Sequence, residues 1–113
     1  MAHELYPEST TDVRNRRRTL APEQLAAFEA FSRAAFAGGA LSAKTKQIIA
    51  VAVAHITQCP YCIEGHTKAA QRAGATPEEL MEAVWVAAEM RAGDAFAHSA
   101  IMLNALDHQH SPA

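Results

Sequence analysis

The chain has 113 residues, of which half are hydrophobic and only 6% aromatic, and its formal net charge is −2. This length fits one domain, and the alanine-rich apolar content favours packed helices over a β-sandwich. Such a small net charge creates no field that would attract nucleic acid or anionic lipid. The longest apolar run, Ile48 to Ala54, is too short to cross a bilayer, and the N-terminus lacks a signal-peptide pattern. We therefore expect a cytoplasmic protein with no nucleic-acid or membrane partner.

The first half of the chain predicts two helices after an irregular start. Residues 1–20 are polar and are interpreted as an N-terminal arm or a short helix. Pro22 opens a helical pattern that ends at Gly38 and Gly39. Ser42 is the predicted N-cap of the next segment, which runs to about residue 58. The middle of that segment is apolar on every side, so periodicity alone does not separate a buried helix from a buried strand.

The residues downstream decide in favour of a helix. Pro60 suits the first turn of a helix, and Gly74 suits the position just after its end. Thr76 begins a capping box, and a last helical stretch, interrupted near Gly93, reaches about Leu106. No strand-like alternation appears in this half of the sequence. The predicted fold is therefore all-α, with the apolar run as a central buried helix that precedes a helix carrying both cysteines.

The sequence is interpreted as three parts. A helical domain covers residues 21–107, and the arm or short helix precedes it. The polar segment over residues 108–113 is predicted to be a mobile tail. The sequence contains no internal repeat and no low-complexity linker that would indicate a second domain.

The two cysteines lie in one motif, Cys59-Pro60-Tyr61-Cys62, and His66 follows four residues later. On a helix that begins at Cys59, the two thiols and the imidazole fall within an arc of about 60°. The helix N-terminus favours the thiolate, which is the attacking species, and His66 can accept a proton and return it. A thiolate here can attack an O–O or S–S bond, and the second cysteine then closes a disulfide. Cys59, Cys62 and His66 are thus the candidate catalytic residues.

Two other functions fit the same residues. A metal-binding helical module would use Cys59, Cys62, His66 and His55 as ligands, although three ligands on one helix are unusual for structural zinc. A non-catalytic helical oligomer would instead keep the pocket for a small ligand. In the redox interpretation His55 is part of the pocket wall, and neither a metal nor another bound cofactor is expected.

Three stretches of the sequence resemble a known family: residues 41–50, residues 59–66 with a CxxCxxxH pattern, and residues 73–79 with an Ala-Gly-Ala-Thr turn. On these residues the chain resembles the AhpD-like alkylhydroperoxidase, or carboxymuconolactone decarboxylase, family over about residues 22–106. The resemblance implies an all-helical fold that assembles into homo-oligomers, either trimers or hexamers.

The same resemblance implies a peroxidase activity of the peroxiredoxin type. It assigns attack on the peroxide to Cys62, closure of the disulfide to Cys59, and a place in a proton relay to His66. It also implies a reducing partner, which is a dithiol protein or a small thiol. Family members with decarboxylase chemistry generally lack the cysteine pair, so the resemblance argues against that activity.

One position departs from the family pattern. The best-described peroxidases of the family have a glutamate twelve residues before the first cysteine, and here that residue is Gln47. A carboxamide can orient a group or hold a water, but it cannot shuttle protons at neutral pH. Glu89 is the candidate carboxylate to replace it. An ion pair between Glu89 and Arg91 or Arg33 is the alternative explanation for that residue.

Overall fold

The fold is a set of five α-helices joined by short connections. The computed structural model describes residues 5–108, and that range contains no strand. The helices are α1 (Thr11–Leu20), α2 (Pro22–Phe36), α3 (Ala43–Thr57), α4 (Pro60–Arg72) and α5 (Pro77–Asp107). The all-α prediction is confirmed. Apart from His108, the predicted mobile tail lies outside the described residues.

Helix α1 occupies part of the segment for which the sequence allows either an arm or a short helix. The hydroxyl of Thr10 caps this helix by accepting a hydrogen bond from the backbone N–H of Val13 at 3.2 Å. The residues before α1 lie against α4, because the Tyr61 hydroxyl donates to the carbonyl oxygen of Pro7 at 2.6 Å. The rings of Tyr6 and Tyr61 also meet edge to face. These contacts attach the N-terminal segment to the turn that carries the cysteines.

Local capping residues fix the ends of the helices around the cysteines. Ser42 accepts a hydrogen bond from the backbone N–H of Thr45 at 3.1 Å and so begins α3. Thr76 and Glu79 form the predicted capping box at the start of α5. Caps of this kind typically stabilise a protein by about 1 kcal/mol. Gly74 follows α4 with a φ of 101°, a backbone conformation that favours glycine at a helix end.

Helix α5 continues through Gly93, so the predicted interruption there is wrong. A glycine inside a helix costs about 1 kcal/mol relative to alanine, which is too little to break a long helix built from alanine-rich sequence. A Cβ atom at Gly93 would lie 3.4 Å from the Glu89 carboxylate, which is an ordinary contact distance. The helix therefore runs without a break over 31 residues, or about 46 Å.

Helix α3 lies at the centre of the fold and packs against α4 and α5. The buried core of the described chain is small and consists of Val51, Ala54, Ala70, Ala75, Leu80 and Ala87. The expected burial of the apolar run holds for one face of α3 only. On the other face, Ile49 and Val53 remain 45% and 51% exposed.

A large apolar surface is left open, above all on the second half of α5. Every residue from Asp94 to Asp107 is exposed except Ser99, and Phe96 is 81% exposed. The radius of gyration is 19.5 Å, whereas a compact domain of this length has about 13 Å. An apolar surface of this extent is typical of an interaction site. None of the described helices is both long and apolar enough to span a membrane.

Candidate active site

The cysteine motif forms the N-terminus of α4, as the sequence predicts. Cys59 is the N-cap residue, and its Sγ accepts a hydrogen bond from the backbone N–H of Cys62 at 3.4 Å. Pro60 occupies the first helical position, where its missing N–H has no partner to lose. Both thiols are free and half-buried. The two cysteine residues therefore lie about one helical turn apart in the chain, at the end of the helix that favours negative charge.

The two thiols differ in how readily they ionise. Hydrogen bonds from Cys62, first from its thiol and then from its backbone N–H, lower the pKa of Cys59. The same thiol contact, together with burial, raises the pKa of Cys62. The first negative charge of the pair therefore resides on Cys59, while Cys62 keeps its proton. A thiolate at Cys62 requires a base.

His66 lies four residues after Cys62 on α4 and is the candidate base, and residues of two other helices contact its ring. Its Nδ1 lies 2.8 Å from Oε1 of Gln47 on α3. Its ring stacks on Phe36 of α2, with centroids 5.1 Å apart and planes 22° apart. Since an amide oxygen only accepts hydrogen bonds, Nδ1 carries the hydrogen of the neutral ring. Gln47 thus selects the tautomer in which Nε2 is free to accept a proton.

Two cavities of about 510 Å³ each share Phe36, Cys62 and His66 as lining residues. The first cavity is largely apolar and is lined in addition by Ala35, Lys46, Ile49, Ala50, Val53, Ala54 and Thr57. The second lies on the side of α4 that faces α2 and is lined in addition by Ser32, Arg33, Gln47, Tyr61, Gly65 and Ala69. Cys59 lines neither of them. The structure therefore gives Cys62, rather than Cys59, access to both spaces beside the imidazole.

The fixed charges around these cavities are all positive. Lys46 lines the first cavity and Arg33 lines the second, and no aspartate or glutamate lines either one among the described residues. The Lys46 ammonium donates a hydrogen bond to the carbonyl oxygen of Ala37. The site is thus locally electropositive, although the whole chain has a net charge of −2.

Comparison with known proteins places this site in a family. The model of the carboxymuconolactone decarboxylase family matches residues 22–105. The chain belongs to this family. The family resemblance that the sequence motifs indicate is therefore confirmed.

Two curated relatives and two solved structures illustrate the similarity. Uncharacterized protein 4 in the cox locus of Paracoccus denitrificans is 65% identical over 81 residues, which is 72% of this chain and 73% of the relative. An uncharacterized protein of Cupriavidus necator is 39% identical over 72 residues, or 64% of each chain. A family protein from Legionella pneumophila has a TM-score of 0.69 and 36% identity, covering 86% of this chain and 87% of that one. A protein from Methanobacterium thermoautotrophicum has a TM-score of 0.68 and 36% identity, covering 72% and 91%.

Two of the predicted site residues lie elsewhere. His55 is half-buried, and its Nδ1 lies 2.8 Å from the carbonyl oxygen of Val51 in its own helix. Glu89 is exposed on α5, and neither residue lines a cavity beside Cys62. Glu89 also forms no ion pair within residues 5–108. Its expected partner Arg91 instead donates to the carbonyl oxygen of Ile56 at 2.8 Å.

The ligand set of the metal-binding alternative is not assembled. Within the part of the chain that the structure describes, no group of three or more His, Cys, Asp or Glu side chains is placed to hold a metal ion. The hydrogen bond of His55 to its own helix is consistent with that finding. Cys59, Cys62, His66 and His55 therefore do not form a metal-ligand cluster in this part of the chain.

Helix α2 supplies site residues that the sequence does not identify as such. In the sequence, Phe36 is one of the apolar residues of the helical pattern that begins at Pro22, and Arg33 is one of two possible ion-pair partners of Glu89. In the fold both line the second cavity, and Phe36 also stacks on His66. Their spacing of three residues places them on one face of α2, which is the signal that the sequence contains. Only the packing of the helices shows that this face points towards the cysteines.

Proposed function

We propose that this protein is a thiol-dependent peroxidase, in which a hydroperoxide oxidises the Cys59/Cys62 pair and a dithiol reduces it again. The observation that carries the proposal is the shared position of Cys62 and His66. Both line the same two cavities, and the contact of Nδ1 with the Gln47 amide oxygen leaves Nε2 as the acceptor of a neutral imidazole. A thiol that keeps its proton therefore has a base beside it in a space that admits a small molecule.

The first step is attack on the peroxide by Cys62. His66 Nε2 takes the proton from the Cys62 thiol, and the thiolate sulfur attacks one oxygen of the hydroperoxide. The O–O bond breaks, and the alkoxide that leaves takes the proton back from the imidazolium. The products are an alcohol and a sulfenic acid on Cys62, with His66 neutral again.

The second step closes the disulfide. Cys59 is suited to it because its Sγ accepts a hydrogen bond from the backbone N–H of Cys62, a contact that favours the thiolate and does not depend on the oxidation state of the Cys62 sulfur. Its sulfur attacks the sulfenic acid, the S–S bond forms, and the hydroxide that leaves becomes water after it gains a proton. A dithiol partner then exchanges with this disulfide, is itself oxidised, and returns both cysteines to thiols.

A second candidate function is a disulfide oxidoreductase, and one observation favours it. Cys59 ionises first and lies at the N-cap of α4, which is the arrangement of a thiol that exchanges with disulfides in solution. This activity requires no peroxide and no base at Cys62. Reduction of insulin disulfides by the wild-type protein, with accumulation of a mixed disulfide between Cys59 and insulin in a Cys62→Ser protein, would favour it over the peroxidase.

The test of the peroxidase is hydroperoxide consumption in the presence of dithiothreitol. Cys62→Ser is expected to abolish consumption, and His66→Asn to lower it by about 10²-fold, as for loss of a general base. His98→Asn is the matched control, because His98 lies on α5 outside both cavities. Unchanged consumption in Cys62→Ser would show that Cys62 is not the attacking residue, and no consumption by the wild-type protein would favour the non-catalytic ligand-binding oligomer.

We also propose that the chain self-associates, in a cytoplasmic setting where a dithiol reductant is present. Four aromatic side chains are more than half exposed. They are Phe28 at 64%, Phe31 at 69%, Trp85 at 65% and Phe96 at 81%. At about 200 Å² for each aromatic side chain, they alone expose roughly 550 Å². A stable interface needs about 800 Å² per partner. The exposed aliphatic residues of α5 supply the remaining area, which is compatible with the trimers or hexamers that the resemblance implies.

A further inference from the structure

We propose that Arg33 forms an anion subsite beside Cys62, and that the preferred substrate is an organic hydroperoxide that also carries a carboxylate. This inference rests on the proposed peroxidase function and names its substrate class. It concerns the second cavity, which lies between α2 and the first turns of α4.

The first argument is the position and freedom of the Arg33 side chain. Arg33 lies one turn before Phe36 and lines the same cavity as Cys62 and His66. Within residues 5–108 its guanidinium has no carboxylate within 4.0 Å and donates no hydrogen bond. By contrast, Lys46, the other cation of the site, is bound to the carbonyl oxygen of Ala37. The fork of an arginine matches the two oxygens of a carboxylate, so Arg33 is free to bind one from a ligand.

The second argument is the balance of charge. No acidic side chain lines either cavity among the described residues, while one lysine and one arginine do. Gln47 keeps the group beside His66 neutral, where a glutamate would repel an anion. The side chains that line the two cavities are therefore positive or neutral towards an anionic ligand.

The third argument is the arrangement of the two cavities. They share Phe36, Cys62 and His66, each has a volume of about 510 Å³, and both are open to solvent, so that a ligand can extend from one into the other. If the alkyl chain of a ligand lies in the apolar cavity and its carboxylate binds Arg33, the middle of the ligand lies beside Cys62. The hydroperoxide group is then expected within the chain, between the apolar end and the carboxylate.

A binding experiment tests the subsite without any catalysis. Octanoate and 1-octanol have the same chain length, and each is titrated into Cys62→Ser protein by calorimetry. Octanoate is expected to bind more tightly, and Arg33→Gln in the same background is expected to weaken octanoate binding roughly three- to tenfold relative to octanol. Arg16→Gln removes the same charge from the exposed surface of α1, so it is the matched control. Equal affinities for the two ligands, or equal losses in both variants, would overturn the proposal.

A kinetic experiment tests the substrate class. A fatty-acid hydroperoxide and its methyl ester are compared as substrates for the wild-type protein and for the Arg33 and Arg16 variants. Arg33→Gln is expected to raise the KM for the acid relative to the KM for the ester roughly three- to tenfold, with Arg33→Lys in between. If Arg33→Gln does not change the ratio of the KM for the acid to the KM for the ester, the proposal is wrong. If no protein consumes either peroxide, the peroxidase function fails, while the octanoate titration still decides the anion subsite.

Discussion

Replacing Gln47 by glutamate puts a negative charge 2.8 Å from Nδ1 of His66. That charge stabilises the imidazolium that forms when His66 takes the proton of Cys62. The centres of the carboxylate and imidazolium charges would lie about 4 Å apart. At that distance two opposite charges attract by about 1 kcal/mol in water and about 4 kcal/mol at an effective dielectric constant of 20. Both side chains are half-buried, so we take about 1.4 kcal/mol. That value corresponds to a roughly tenfold gain in proton transfer from Cys62.

The assay for Gln47→Glu is the pH dependence of kcat/KM for hydroperoxide consumption. We expect the plateau near neutral pH to rise roughly tenfold and the acidic limb to move to higher pH, because a stabilised imidazolium also picks up solvent protons more readily. Gln71→Glu adds the same charge on α4 at a position that lines neither cavity, so it is the control. Gln47→Leu removes the acceptor and is expected to lower the rate. If the pH profile of kcat/KM is the same in Gln47→Glu as in the wild-type protein, the contact between Gln47 and His66 does not control proton transfer from Cys62.

Three further predictions concern the thiols, the helix cap and the assembly. Because contacts with Cys62 lower the pKa of Cys59 and raise that of Cys62, falling pH protonates Cys62 first. Iodoacetamide should therefore alkylate Cys59 at lower pH than Cys62, as read by site-resolved mass spectrometry, and the reverse order would contradict the assignment. Thr76→Ala should reduce the free energy of unfolding by about 1 kcal/mol in urea melts, whereas no change would mean that the cap is dispensable. Phe96→Asp should lower the oligomer mass in sedimentation with helicity retained, and an unchanged mass would exclude this surface.

The ends of the helices are predictable because their causes are local. Ser42, Thr76 and Gly74 act on backbone groups within a few residues of themselves, so the sequence pattern is enough to place them. Gly93 misleads for a related reason. The sequence shows that one glycine lowers the stability of a helix. It does not show that the cooperative stability of a 31-residue helix outweighs this cost.

The sequence predicts the part of the site that lies on a single helix, but not the contacts between helices. Cys59, Cys62 and His66 share a face of α4 because helical geometry puts them there. The contact of His66 with Gln47 joins residues that are 19 apart in the chain and depends on the packing of α3 against α4. Glu89 shows the limit, since its place on a neighbouring helix does not determine whether its side chain reaches the cavities.

The most direct test of the central claim traps the oxidised sulfur. Cys59→Ser protein is treated with one equivalent of hydroperoxide in the presence of dimedone, and the adduct is located by mass spectrometry. Without Cys59 to close the disulfide, the sulfenic acid persists, so we predict one dimedone adduct on Cys62. Cys62→Ser protein, treated in the same way, should carry none. An adduct on Cys59 in that variant at a comparable rate, or no adduct in either variant, would contradict the assignment of Cys62 as the peroxide-attacking residue.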